Sequence, residues 1–286
     1  MTTELNNCPA PAKLNLFLHV TGRREDGYHL LETAFQLIDY GDVLHFKLRH
    51  DGQILRNNDI PGVPVETDLV IRAAKLLQLN SASSLGVEIT LDKKLPMGAG
   101  LGGGSSDAAT TLIALNRLWN TRLTRQQLMD LGLQLGADVP FFIFGENAFA
   151  QGIGEALTAL KTPDCWYVVI EPGVAVPTPA IFSSKALTRN SPSITVSDFQ
   201  RYPQGNWRND LQAVAVYLYP EILATLDWLK DYGNARMTGS GSCVFCACDS
   251  ENSALEILRK IPKKPRMWTG WVAKALDKHP LTSWLE

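Results

Sequence analysis

An α+β fold in two halves is what this sequence predicts, and three patterns predict it. Short alternating runs that fit half-buried strands stand near residues 12–20, 43–48 and 87–91. Apolar stripes at helical spacing lie between and after them. Helical and strand-like runs alternate again beyond about residue 160, where a boundary between domains 1–160 and 161–286 is expected.

The elements follow in order. Ala12, Leu14, Leu16, Leu18 and Val20 occupy alternate positions of a half-buried strand ended by Thr21-Gly22, and its other face carries Lys13, Asn15, Phe17 and His19. Val43, His45 and Lys47 alternate with Leu44, Phe46 and Leu48 in a second strand, and Val87, Ile89 and Leu91 mark a third. Between them, Leu69, Ala73, Leu76 and Leu77 share a helical face. A helix beginning at Ser105 or Ser106 carries the stripe Ala108, Leu112, Leu115 and Trp119, and another carries Leu128, Leu131 and Leu135 up to Gly136. Residues 141–150 and 166–170 read as buried strands, while 172–179 and 188–197 read as loose connection. Helices are expected at 211–230 and 250–260, and strands at 235–238, 244–248 and 267–273. Asn209 reads as a helix cap.

Composition excludes several classes of function. The chain has 286 residues, 45% hydrophobic and 20% charged, with a formal charge of -2, so it lacks the cationic footprint of a nucleic-acid or anionic-membrane binder. Its apolar stretch 211–229 is interrupted by Gln212, Pro220, Glu221 and Asp227, which argues against a membrane span. Residues 1–8 are polar and the five cysteines are an odd count for a disulfide framework, so a cytoplasmic protein is expected. Cys243, Cys246 and Cys248 lack a fourth ligand at zinc-like spacing, and Val244, Cys246 and Cys248 alternate as packed strand residues do.

The chemistry begins at residues 95–107, Leu-Pro-Met-Gly-Ala-Gly-Leu-Gly-Gly-Gly-Ser-Ser-Asp. Five glycines in seven residues let the backbone approach a ligand closely, and the amides of the helix that follows make an anion site. A Walker A loop needs Lys where Ser105 stands. The Rossmann pattern is broken by Leu95-Pro96-Met97, and no His-Arg-Asp or Asp-Phe-Gly triplet of protein kinases occurs.

Three segments together resemble the GHMP kinases: this glycine loop, Pro9-Ala10-Pro11-Ala12-Lys13-Leu14-Asn15-Leu16 near the start, and Met237-Thr238-Gly239-Ser240-Gly241-Ser242-Cys243. They stand in that family's order and span residues 9–243. The resemblance implies a mixed-sheet N-terminal domain of the ribosomal protein S5 domain 2 type, a ferredoxin-like C-terminal domain, and a site in the cleft between them. It implies ATP as phosphate donor with Mg2+, the phosphates lying against Pro96, Met97, Gly98, Ala99, Gly100, Leu101, Gly102, Gly103, Gly104, Ser105 and Ser106. Ser105 and Ser106 are also candidates for the metal, whose ligands stay open. Catalysis is implied for Asp138 as base, with Lys13 as the cation that keeps it ionised and meets the transferring phosphoryl group.

Within the family, residues 22–29, 135–140 and 177–182 are similar to a member whose acceptor alcohol carries cytidine diphosphate. Asn15, Tyr28, His29, Phe182, Gly239 and Ser240 are thereby implied to hold the substrate, with the base stacked between Tyr28 and Phe182 and both nitrogens of His29 on its edge. The residues alone leave alternatives: a helix cap at Asp138, a solvated strand face at Lys13, packing roles for Tyr28 and Phe182. A kinase for another alcohol, such as mevalonate or homoserine, and a non-catalytic nucleotide binder are the rival functions. Partners are expected to be small molecules, and the chain a monomer or weak homodimer.

Overall fold

The computed structural model describes residues 2–202, 207–262 and 268–285. It opens with a long hairpin, β1 (Glu4–Arg23) antiparallel to β2 (His29–Arg49), turned at Asp26-Gly27, where Asp26 accepts from the Tyr28 amide at 3.1 Å. β3 (Ile54–Arg56), α1 (Leu69–Ser81) and β4 (Gly86–Asp92) follow, α1 being capped by Asp68, whose side chain accepts from the Val70 amide. Next come α2 (Gly103–Leu118), α3 (Arg125–Leu133), α4 (Val139–Phe144), β5 (Ala148–Gln151), β6 (Ala156–Ala159) and β7 (Trp166–Glu171). The remainder is α5 (Thr178–Phe182), α6 (Val196–Arg201), α7 (Gln212–Leu218), α8 (Pro220–Leu229), β8 (Arg236–Met237), β9 (Val244–Cys248), α9 (Glu251–Arg259), β10 (Thr269–Leu276) and a short 3-10 turn at Thr282–Trp284.

A mixed sheet runs β3-β4-β2-β10-β7-β9-β8, with β1 and β5 also on β2, so the fold is α+β as expected. Helices α1 and α2 pack on the β1–β4 region through Val70, Ala73, Leu77, Leu112 and Leu115, which close one core with Phe46 and Ile89. Farther along, Val168, Ile170, Leu226, Val244 and Cys246 form another core under α8 and α9. Cys243 and Phe245 point to the opposite side of β9, so the alternation of Cys246 and Cys248 reflects packing. Burial pushes the Cys246 thiol up to about 12, away from the thiolate that a metal would need. No helix among the described residues is long and apolar enough to cross a membrane.

Several elements differ from expectation for identifiable reasons. β1 is buried on both faces, Lys13, Asn15, Phe17 and His19 included, because helices and loops cover the side expected to face solvent. The strand expected across 141–150 is α4 followed by β5. Its Phe141-Phe142-Ile143-Phe144 run has no period to separate strand from helix, and Pro140 sits in the first helical turn. The helix expected over 211–230 divides at Pro220, which cannot donate to the preceding turn. The stretch 172–179, expected to be loose, ends inside α5, which begins at Thr178, and the strand expected at 267–273 is β10 from Thr269 on, Met267 lying outside the described residues.

Candidate active site

Two glycine loops meet between these layers. Gly100 (φ +76°) passes so near the backbone of residue 238 that a Cβ there would stand 2.1 Å from the Thr238 carbonyl oxygen. The Thr238 hydroxyl donates to the Gly100 carbonyl at 3.1 Å, and the Cys243 amide donates to the Ala99 carbonyl at 3.1 Å. Gly102 (φ +73°) caps α2, which starts two residues earlier than expected, at Gly103. A Cβ on Gly102 would press on Phe142 and on Lys13 Cε at 3.0 and 3.2 Å, so the loop is seated directly on the Lys13 side chain.

Lys13 is aimed by the hairpin. Register shifts on either side of it, between Pro11 and Ala12 and between Asn15 and Phe17, re-aim its strand segment, and its amide donates to the Leu101 carbonyl at 3.0 Å. The buried ammonium donates to Asn15 Oδ1 at 2.6 Å, lies over the Phe35 ring at 5.2 Å, and stands 3.6 Å from Asp138 Oδ2. Burial pushes it below the usual lysine range, and Asp138 pulls it back up. Asn15 is the junction: Oδ1 also accepts from the Gly239 amide at 2.9 Å, and Nδ2 donates to the Thr33 hydroxyl at 2.9 Å. Asn209 completes the C-terminal loop, donating to the Met237 and Gly239 carbonyls at 2.9 and 2.8 Å and accepting from the Leu211 amide in a local turn. It is not the cap expected, because its side chain is committed to that loop and α7 has Leu211 at its N-cap position.

Asp138 stands at the N-cap position of α4 yet makes no capping hydrogen bond, and its side chain is 34% exposed. A carboxylate in contact with both Lys13 and solvent is open to a substrate hydroxyl. One cavity of about 1000 Å³ brings it together with Lys13, Asn15, the loop from Pro96 to Ser105, Tyr28, His29, Phe182, Gly239 and Ser240. Ser106 is the exception among the expected residues. It is buried in the first turn of α2, and its hydroxyl donates to the Pro11 carbonyl at 2.7 Å, so it braces β1 instead of facing the cavity. His29 also departs from expectation, since Nε2 accepts from Arg189 Nε at 3.0 Å and leaves Nδ1 as its ring nitrogen for a ligand. Its ring lies 5.0 Å from that of Phe182, and Tyr28 is 60% exposed on the same wall.

Sequence reasoning passed over a charged cluster at the loop's base. Lys93 bridges Asp42 at 2.5 Å and Asp107 at 2.7 Å, and Asp42 also accepts from the amides of Lys94 and Leu95 at 2.6 and 2.8 Å. Burial pushes Asp107 up to about 8, with Lys93 opposing and Asp42 reinforcing the shift. The folded chain then holds a proton that the unfolded chain releases in the ordinary carboxyl range. Stability from this group is full below that range and is lost as pH rises through about 8. Asp107→Asn, which cannot ionise, is therefore expected to flatten the fall of Tm between pH 5 and about 8; scanning calorimetry giving parallel pH profiles for both proteins would contradict it. The signal was weak in sequence because Asp42 lies on β2, Lys93 in the loop after β4 and Asp107 on α2.

A glycine loop on a helix N-terminus, a buried ammonium and an open carboxylate in one cavity are the parts of a small-molecule kinase. The comparisons agree. The GHMP kinases N terminal domain matches residues 68–146 and the GHMP kinases C terminal domain matches residues 192–266. The 4-diphosphocytidyl-2-C-methyl-D-erythritol kinase of Janthinobacterium sp. (strain Marseille) is 62% identical over 286 residues, covering 98% of each chain. That of Herminiimonas arsenicoxydans is 60% identical over 284 residues, again with 98% of each covered. A crystal structure of 4-(cytidine 5'-diphospho)-2C-methyl-D-erythritol kinase superposes with a TM-score of 0.80 at 33% identity, over 95% of this chain and 98% of that one. The mevalonate kinase of Methanococcus jannaschii shares the fold, with a TM-score of 0.65 at 15% identity over 96% of this chain and 99% of that one. The chain belongs to the GHMP kinases and, within them, to the 4-diphosphocytidyl-2-C-methyl-D-erythritol kinase family. It is an ATP-dependent small-molecule kinase.

Proposed function

We propose that the chain transfers the γ-phosphoryl group of ATP to the 2-hydroxyl of 4-diphosphocytidyl-2-C-methyl-D-erythritol, a step of the non-mevalonate route to isoprenoids. The observation that carries this reading is the single cavity lined both by the glycine loop and by Tyr28, His29 and Phe182, with Lys13 and Asp138 lining it as well. The relatives named above support the substrate.

In this reading Asp138 accepts the proton of the attacking hydroxyl, and the Lys13 ammonium offsets charge on the phosphoryl group in flight. Asn15 and Phe35 hold that ammonium so that no reorganisation is needed at the moment of transfer. The amides at the start of α2 face the phosphates, and the Gly239 loop, which meets the glycine loop at Gly100, backs the substrate. Tyr28 and Phe182 give the pyrimidine its apolar walls.

Magnesium fits this site as an ion carried by nucleotide phosphates and water. Among the described residues no cluster of three His, Cys, Asp or Glu makes a protein cage, while the Ser105 hydroxyl and Asp138 line the cavity as oxygen donors. When bound, the ion would neutralise charge on the nucleotide phosphates.

The test is ADP release from purified protein with ATP, magnesium and a panel of alcohols. Turnover on the cytidine-bearing methylerythritol is expected to exceed that on mevalonate or homoserine by at least about 10⁴-fold, as a site that hydrogen-bonds its substrate achieves. Turnover on another alcohol with none on this one would overturn the substrate and keep the class.

A further inference from the structure

We propose that Arg189 is a positioning residue for base recognition, fixing His29 as a neutral imidazole with its proton on Nδ1 so that the cavity presents a hydrogen-bond donor there. The expectation from sequence was that His29 offers the base edge both a donor and an acceptor. The structure narrows this. A guanidinium does not deprotonate, so the N–H of Arg189 that reaches His29 Nε2 at 3.0 Å requires a lone pair on that nitrogen. A protonated ring has none, and a neutral ring with a free Nε2 must carry its hydrogen on Nδ1.

Arg189 is held too firmly to be a swinging surface cation. Its remaining bonds go to the carbonyls of Leu187 at 3.1 Å, Phe182 at 3.0 Å and Ser184 at 2.7 Å, which wrap the guanidinium in the chain leaving α5. The same group therefore sets two walls at once, the backbone of Phe182 and the ring of His29; the rings of these two residues have centroids 5.0 Å apart and lie 35° from parallel. Burial, and then Arg189 and Arg23, hold the imidazole below its usual range, which agrees with a neutral ring. Nδ1 has no hydrogen-bond partner among the described residues, and His29 lines the cavity. What that donor meets rests on the cytidine reading above: a cytosine edge offers N3 and O2 as acceptors, and an Nδ1–H complements either.

The experiment is a two-bond ¹H–¹⁵N correlation spectrum of the whole chain labelled at histidine, with His29 assigned from the signal lost in His29→Asn. Wild-type protein near pH 8 is expected to show the proton on Nδ1. In Arg189→Ala the tautomer is expected to move to a majority of Nε2–H, with KM for the cytidine substrate raised about tenfold while kcat and KM for ATP stay within about threefold. Arg189→Gln, whose amide can still donate to Nε2, is expected to recover most of the Nδ1–H form and most of the affinity. A wild-type His29 protonated on Nε2 overturns the proposal even if no variant folds, and so does a tautomer unchanged in Arg189→Ala. Because the spectrum needs no substrate, it stands or falls separately from the substrate panel.

Discussion

Asp138→Asn is expected to lower kcat by about 10³-fold, the middle of the range for removing a general base, while KM for ATP moves by less than about threefold. The substitution is nearly isosteric, and α4 does not depend on the Asp138 carboxylate for a cap, so the fold loses little there. In the proposed mechanism the substitution removes the acceptor for the hydroxyl proton, and it removes the counter-charge of Lys13 as well. That ammonium keeps Asn15 Oδ1 and the Phe35 ring, yet it loses the one carboxylate that offsets its burial. Its proton should then leave at lower pH than in the wild type, so the residual activity should have an alkaline limb displaced downward. Lys13→Met separates the two effects: it keeps the base and removes the cation, and its rate should fall without the acquired alkaline limb. Steady-state kinetics across pH 6–10 measures both, and a Asp138→Asn variant that retains turnover within tenfold of wild type would remove Asp138 from the role of base.

The parts of this site that were legible in the sequence are those where a local pattern forces the structure. Five glycines before a helical stripe leave few conformations other than a loop at a helix N-terminus, and α2 duly starts at Gly103. Alternation found β4 and β9, and β7 showed as a short, bounded apolar run. The first half of β2 escaped notice since Leu30, Thr33, Gln36 and Asp39 interrupt its alternation, and its contacts with β1 and β5 supply the order that propensity does not. Long-range polar contacts were beyond pattern reading. Asn15 meets Gly239 across 224 residues, and Arg189 meets His29 across 160. Arg189 stands in a polar stretch that reads as connection, and only the folded chain reveals that its donors tie His29 to the chain leaving α5.

Gly100→Ala is the second large effect expected, and it tests whether the two glycine loops act as one unit. At φ +76° an alanine costs about 1–2 kcal/mol in backbone conformation alone. Its Cβ would also stand 2.1 Å from the Thr238 carbonyl oxygen and 3.2 Å from the Gly241 amide, both backbone atoms that no rotamer change can move. The loops would have to part by about 1 Å or more to reach ordinary contact distance. That movement stretches the bond from the Thr238 hydroxyl to the Gly100 carbonyl and, through Gly239 and Asn15, disturbs the seat of Lys13. Together these should cost about 3 kcal/mol or more, a fall in Tm of roughly 6–12 °C for a chain of this size. Displacement of about 1 Å at the proposed phosphate site should also reduce kcat/KM for ATP by about 10²-fold. Gly104→Ala is the internal control: it lies inside α2, where alanine favours the helix, and its Cβ would meet only Leu69 Cδ1 at 3.4 Å. Calorimetry is expected to find Gly104→Ala at or above the wild-type Tm and Gly100→Ala far below it. Equal Tm values for the two variants would mean that the loops separate freely, and that Lys13 is seated by β1 and β2 without help from the C-terminal half.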